Sequence, residues 1–203
     1  MIIIGITGSI GTGKSTIASM MRILNFKVHD SDLEVKKILE NNQLVKNKIK
    51  KKWPNVIFFK GNEQFIDKKK LSDIVFNYPE EKSLLENIIH PVVYENRDKF
   101  INKNKNKKLV VLDVPLLYET GTDKICDYVF LAYTSETKQK ARVLSRENMT
   151  EEKFNLIRKS QWTQKMKLKQ NPYLIITSHG KTITFIIIIW YLLLITFKRI
   201  LKL

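Results

Sequence analysis

The stretch GSIGTGKS (8–15) matches G-x-x-x-x-G-K-[ST] at every position, between an apolar strand-like run and a helix-like one. Four of the seven glycines, Gly5, Gly8, Gly11 and Gly13, fall within the first thirteen residues. A polyphosphate must come within hydrogen-bond reach of several consecutive backbone N–H groups. Residues without a Cβ permit that approach and the left-handed backbone it requires. A helix starting near Lys14 adds its N-terminal donors and the positive end of its dipole. Lys14 then brings mobile charge to the β- and γ-phosphates, and the Ser15 hydroxyl is a Mg²⁺ ligand. Gly11, Thr12, Gly13, Lys14, Ser15 and Thr16 are the expected ATP-binding set.

Such a loop implies a nucleoside triphosphate and leaves the acceptor open. The N/T-K-x-D and D-x-x-G signatures of a GTPase are absent, which leaves small-molecule kinases. DSDLE (30–34) follows a second predicted strand, so Asp30 and Asp32 are expected near the γ-phosphate side of the loop. A carboxylate there orients an acceptor hydroxyl and takes its proton. Alternatively one of the two caps the next helix, and the roles are compatible if the residues divide them. Asp113 ends the run LVVLD, where it either holds Mg²⁺ through water or caps the turn ahead of Pro115. His29, His179 and Cys126 have no metal-ligand spacing. His90 before Pro91 reads as a structural turn. Phe58, Phe59 and Phe65 read as core packing, with an apolar substrate arm as the alternative.

With the phosphate loop, the D-x-D pair and VLDVPLLYETG (111–121) in order, the sequence resembles the dephospho-CoA kinase family. IIHP (88–91), PLLYE (115–119), SREN (145–148) and Gln161 recur in the family's order, and the likeness covers residues 1 to about 170. The resemblance implies ATP- and Mg²⁺-dependent phosphorylation of the ribose 3′-hydroxyl of dephospho-coenzyme A, the last step of coenzyme A synthesis. It makes Asp32 the general base, with Asp30 supporting it or the metal. Arg146 resembles the lid arginine that neutralises the transferring phosphoryl group, and Arg142, four residues earlier on the same helical face, assists. Beyond residue 170, NPYLIITSHG (171–180) keeps a Ser178–Gly180 turn but has Asn171-Pro172 where the family has Ala-Asp. Shikimate kinase also joins such a loop to D-x-D, but this chain has no adjacent glycines. A nucleotide-binding module without catalysis is the reading from another class.

These residues need a scaffold. IIIGI (2–6), FKVH (26–29), LVVLDV (109–114), DYVFLAY (127–133) and YLII (173–176) read as strands. Helical stretches separate them, with Ile17, Met20, Met21 and Leu24 forming one apolar stripe after the loop. The pattern predicts a three-layer α/β phosphate-loop fold on a parallel sheet, with ligands at the C-terminal ends of the strands. Residues 1–32, 109–134 and 171–203 form the expected nucleotide-binding core. A helical substrate-binding insertion is expected over 33–108, broken at Pro54, Gly61 and Pro79, and a lid over 135–170.

The chain of 203 residues is long enough for one core domain with excursions. Net charge is +16, mostly from lysine runs with little arginine or aromatic interleaving, which reads as solvated surface and not as a nucleic-acid partner. A single cysteine and a start without a secretory signal point to the cytoplasm. The run from Ile183 to Phe197 is apolar on all sides and extends only about 22 Å as a helix. Burial is the favoured expectation for it, ahead of contact with a membrane or a partner.

Overall fold

A computed structural model describes residues 1–147 and 149–201, so Asn148 of SREN and Lys202 lie outside the described residues. The chain begins with β1 (Ile2–Thr7), α1 (Lys14–Ile23) and β2 (Lys27–Asp30). Next come α2 (Ser31–Asn41), α3 (Gln43–Lys52), β3 (Ile57–Lys60), β4 (Glu63–Ile66), α4 (Lys68–Asn77) and α5 (Pro79–Lys103). It ends with β5 (Leu109–Asp113), β6 (Tyr128–Tyr133), α6 (Glu136–Leu144), α7 (Glu151–Lys159), α8 (Gln164–Leu168), β7 (Tyr173–Ile176) and α9 (Lys181–Ile200). Contacts divide the chain into two units, residues 1–29 with 104–203, and residues 30–103.

In the first unit five strands form a sheet in the order β2-β5-β1-β6-β7. β1 lies parallel to β5, with Ile4 beside Val111, and parallel to β6, with Ile6 beside Phe130. β6 lies parallel to β7. Such strands are covered on both faces, which explains why β5 is buried along its whole length and reads as an unbroken apolar run. The chain leaves β1 towards β2 on one side and later crosses to β6 on the other. The loop after β1 therefore lies where the winding direction reverses, the place where open α/β sheets bind ligands.

α1 packs Ile17, Ala18, Met20 and Met21 onto this sheet, in one cluster with Ile4, Ile6, Val111, Phe130 and Ile175. α9 completes the cluster with Ile188 and Ile195, and Tyr191 meets Tyr173 edge-on at 5.0 Å between ring centroids. The expectation that the C-terminal run is buried holds for this face only. Ile183, Ile186, Trp190, Leu193 and Phe197 are exposed.

The 30–103 unit has its own core of Ile38, Val45, Ile49, Trp53, Val56, Ile66, Leu71, Ile89 and Val93. Trp53 donates its indole N–H to Glu81 at 2.8 Å. The stretch read as mostly helical also holds an antiparallel hairpin, β3–β4, that turns at Gly61 with φ 58°. Phe58 and Phe65 stack on it 5.6 Å apart, and Phe58 and Phe59 are exposed, so core packing does not account for them. The turn expected at His90-Pro91 is also absent. Pro91 lies inside the 25-residue α5, whose Ile89 and Val93 are buried on either side of it. Packing of that face outweighs the one backbone hydrogen bond a mid-helix proline removes.

The one-sided packing of α9 sets an expectation for stability. Ile188→Ala, at a site 0% exposed, lowers unfolding stability by about 2–5 kcal/mol. Ile186→Ala, at a site 60% exposed, changes it by no more than about 0.5 kcal/mol. Urea unfolding of the two variants checks the difference.

Candidate active site

The loop between β1 and α1 is built on two left-handed glycines. Gly11 has φ 79° and Gly13 has φ 96°. A Cβ on Gly11 would stand 2.9 Å from the Gln139 carbonyl oxygen, and one on Gly13 would stand 2.9 Å from Thr177 Oγ1. Both positions are closed to side chains by backbone angle and by space. Gly13 is also the N-cap of α1, with no side-chain cap bond. An uncapped helix head is an anion site.

Lys14 Nζ lies 2.6 Å from Asp113 Oδ1, with both side chains largely buried. The pairing of β1 with β5 produces this contact, since Ile6 stands beside Asp113 at the strand ends. Asp113 thus reaches the lysine of the loop. Ser15 is exposed in the first turn of α1. No group of three or more His, Cys, Asp or Glu side chains capable of holding a metal occurs among the described residues. Ser15 and Asp113 provide hard oxygen donors suited to Mg²⁺, an ion that normally takes one or two protein ligands and completes its shell with phosphates and water.

The loop is held from outside by two side chains and one backbone carbonyl of the 135–170 stretch. Gln161 Oε1 accepts from Ile10 N at 2.9 Å, Gln139 Nε2 donates to Ile10 O at 2.7 Å, and Ser9 Oγ donates to Trp162 O at 3.0 Å. On the other flank Thr177 Oγ1 donates to Thr12 O, and Arg142 donates to Thr177 Oγ1 at 2.9 Å and Thr177 O at 2.7 Å. Arg142 therefore fixes the end of β7 to the loop. A cavity of about 350 Å³ adjoins it, lined by Gly11, Ser15, Thr16, Arg146, Thr177 and Lys181 among others. Arg146 is thus brought to the loop, and the turn after β7 lies beside it.

Asp30 and Asp32 belong to the 30–103 unit. Asp30 Oδ1 accepts from Leu33 N at 3.0 Å and caps α2, while Asp32 is exposed in the helix's first turn. The capping role open to either acid falls to Asp30.

Sequence reasoning assigned no role to Glu119 or Lys167. Lys167 is fully buried, and its Nζ donates to Glu119, to Pro115 O at 2.8 Å and to Thr7 Oγ1 at 3.3 Å. Glu119 also accepts from Trp162 N at 2.7 Å. Burial holds the Lys167 ammonium below the usual lysine range, against the pull of Glu119, and Lys14 adds to the depression. This network joins the end of β1, PLLYE and α8. Glu119 was visible as part of PLLYE, whereas Lys167 was hidden among many lysines. Tyr118, immediately before Glu119 in the motif, stacks on Trp162, and burial pushes its phenol up to about 12.

A family model described as dephospho-CoA kinase matches residues 2–182. The chain is 36% identical over 175 residues to the dephospho-CoA kinase of Zymomonas mobilis, spanning 86% of this chain and 87% of that protein. It is 38% identical over 179 residues to that of Bartonella henselae, spanning 87% and 89%. Among solved structures, dephospho-CoA kinase from Campylobacter jejuni superposes with a TM-score of 0.69 at 28% identity, covering 95% of this chain and 96% of that one. A glycine loop at the switch point of a five-stranded sheet, a lysine–aspartate pair beneath it and these likenesses agree: the chain belongs to the dephospho-CoA kinase family.

Proposed function

We propose that this protein transfers the γ-phosphoryl group of ATP to the ribose 3′-hydroxyl of dephospho-coenzyme A, giving coenzyme A and ADP. The observation that carries this reading is the Lys14–Asp113 pair under the glycine loop, in a chain of this family. The amides of Gly11 to Thr16 and the head of α1 bind the phosphates. Lys14 exchanges Asp113 for the β- and γ-phosphates when nucleotide enters. Ser15 and Asp113, with support from Asp30, would hold Mg²⁺, which would neutralise charge on the β- and γ-oxygens.

Asp32 is the general base. Asp30 caps α2, and the second acid of DSD orients the acceptor and takes its proton. The acceptor oxygen attacks the γ-phosphorus, the bond to the β,γ-bridging oxygen breaks, and ADP leaves. Arg146 neutralises the transferring group from the 135–170 lid. Arg142 serves as a positioning residue, because its guanidinium holds Thr177 against the loop. The 30–103 unit receives the coenzyme A moiety, and the turn at Thr177 to Lys181 borders the adenine of ATP. We place the reaction in the cytoplasm, where Cys126 stays a thiol.

Coupled ADP release should be stimulated by dephospho-coenzyme A and not by shikimate or nucleosides. Stimulation by one of the latter alone would overturn the substrate assignment. Asp32→Asn is expected to leave ATP binding nearly intact and to cut turnover by about 10²–10⁴-fold, which steady-state kinetics with a nucleotide-binding titration can read. Lys14→Met should weaken both binding and turnover. Lys167→Met strands Glu119, 87% buried by side chain, and should cost about 3–5 kcal/mol in denaturant unfolding.

A further inference from the structure

Beyond the kinase site, α9 carries a feature that neither catalysis nor folding uses. Ile183, Ile186, Trp190, Leu193, Phe197 and Ile200 recur at intervals of three and four residues, forming one stripe along the helix. All six are exposed, Trp190 at 56% and Leu193 at 65%. Single exposed apolar residues are ordinary, but a continuous stripe of six marks an interaction surface. The family match ends at residue 182, immediately before it.

Charge selects the occupant. α9 contains no Asp or Glu and carries Lys181 at its start and Lys198 and Arg199 at its end. The unit that includes it, residues 1–29 and 104–203, has 21 Lys and Arg against 8 Asp and Glu, or +13 of the total +16. Residues 30–103 have 15 against 12, or +3. A second copy on this face would bring two strongly cationic units together, with no carboxylate on either helix to pair the lysines. An anionic lipid surface meets the apolar stripe with acyl chains, and meets the cationic surface around it, Lys198 at the stripe's flank included, with phosphate. Trp190 at mid-stripe suits the boundary between the two.

Although 20 residues suffice to cross a bilayer, the opposite face of α9 forbids it. Ile188 and Ile195 belong to the sheet's core, and Tyr191 packs on Phe130 and Tyr173. Leaving the sheet would uncover that core. We infer that α9 docks this protein peripherally on anionic membranes, lying in the interface with the Ile183–Ile200 stripe inserted and its other face still on the sheet.

The test uses the full chain with vesicles of phosphatidylcholine alone and of phosphatidylcholine mixed with phosphatidylglycerol. With Lys198 beside the stripe and the unit at +13, partition onto the anionic vesicles should be about tenfold or more stronger than onto neutral ones. High salt should weaken it. A Trp190→Glu, Leu193→Glu double variant should bind more weakly by about tenfold or more, with turnover in lipid-free buffer unchanged. As a check that needs no charge substitution, brominated acyl chains should quench the wild-type tryptophan fluorescence and lose most of that effect with Trp190→Phe. Equal partition onto both vesicle types, or none onto either, overturns the inference. So does resistance to alkaline carbonate extraction, which would mean spanning. A vesicle-free dimer abolished by the double variant would assign the stripe to a second copy and equally overturn it.

Discussion

A loop of backbone amides can grip polyphosphate only if it is stationary before the ligand arrives, because every dihedral frozen on binding subtracts from the affinity. Here the loop is tied on both flanks. Gln139, Gln161 and Trp162 hold Ser9 and Ile10, and Thr177 with Arg142 holds Thr12. The glycines leave no room for side chains at those contacts. The same substitution of hydrogen for methyl that admits phosphate also admits the clamps.

Beneath the loop two lysines lie within electrostatic range of each other, and each has an acidic partner. Lys14 has Asp113, and Lys167 has Glu119. Burial of Lys167 makes its charge costly, and Glu119 with two neutral oxygens offsets part of that cost. In exchange, β1, the PLLYE segment and α8 are fixed relative to one another. Lys14 is different in kind, since its partner Asp113 stands at the strand end beside the glycine loop, where the proposed mechanism has phosphate replace it. One pair maintains the geometry, while the other is the one proposed to open for the nucleotide.

The C-terminal helix joins folding and location in one element. Its inner face closes the sheet's core and its N-terminal turn borders the cavity beside the loop. A surface that holds the outer face would therefore act on an element next to the nucleotide site.

Five strands, the phosphate loop and the family were legible in residue order alone, because parallel strands buried on both faces are apolar without interruption and the loop's glycines are dictated by chemistry within eight residues. The β3–β4 hairpin was not, since four-residue strands inside lysine-rich helices leave little periodic signal. Nor was continuity of α5 through Pro91, which depends on burial of Ile89 and Val93 by residues distant in sequence. The choice of Asp30 as cap, the clamps of Gln139 and Arg142, and the Lys167–Glu119 pair are contacts between side chains brought close only by the fold. Composition showed that residues 183–197 are apolar on every side. Only tertiary packing decided which side meets the core and which faces outward, because a helix apolar all round carries no sequence record of its own orientation.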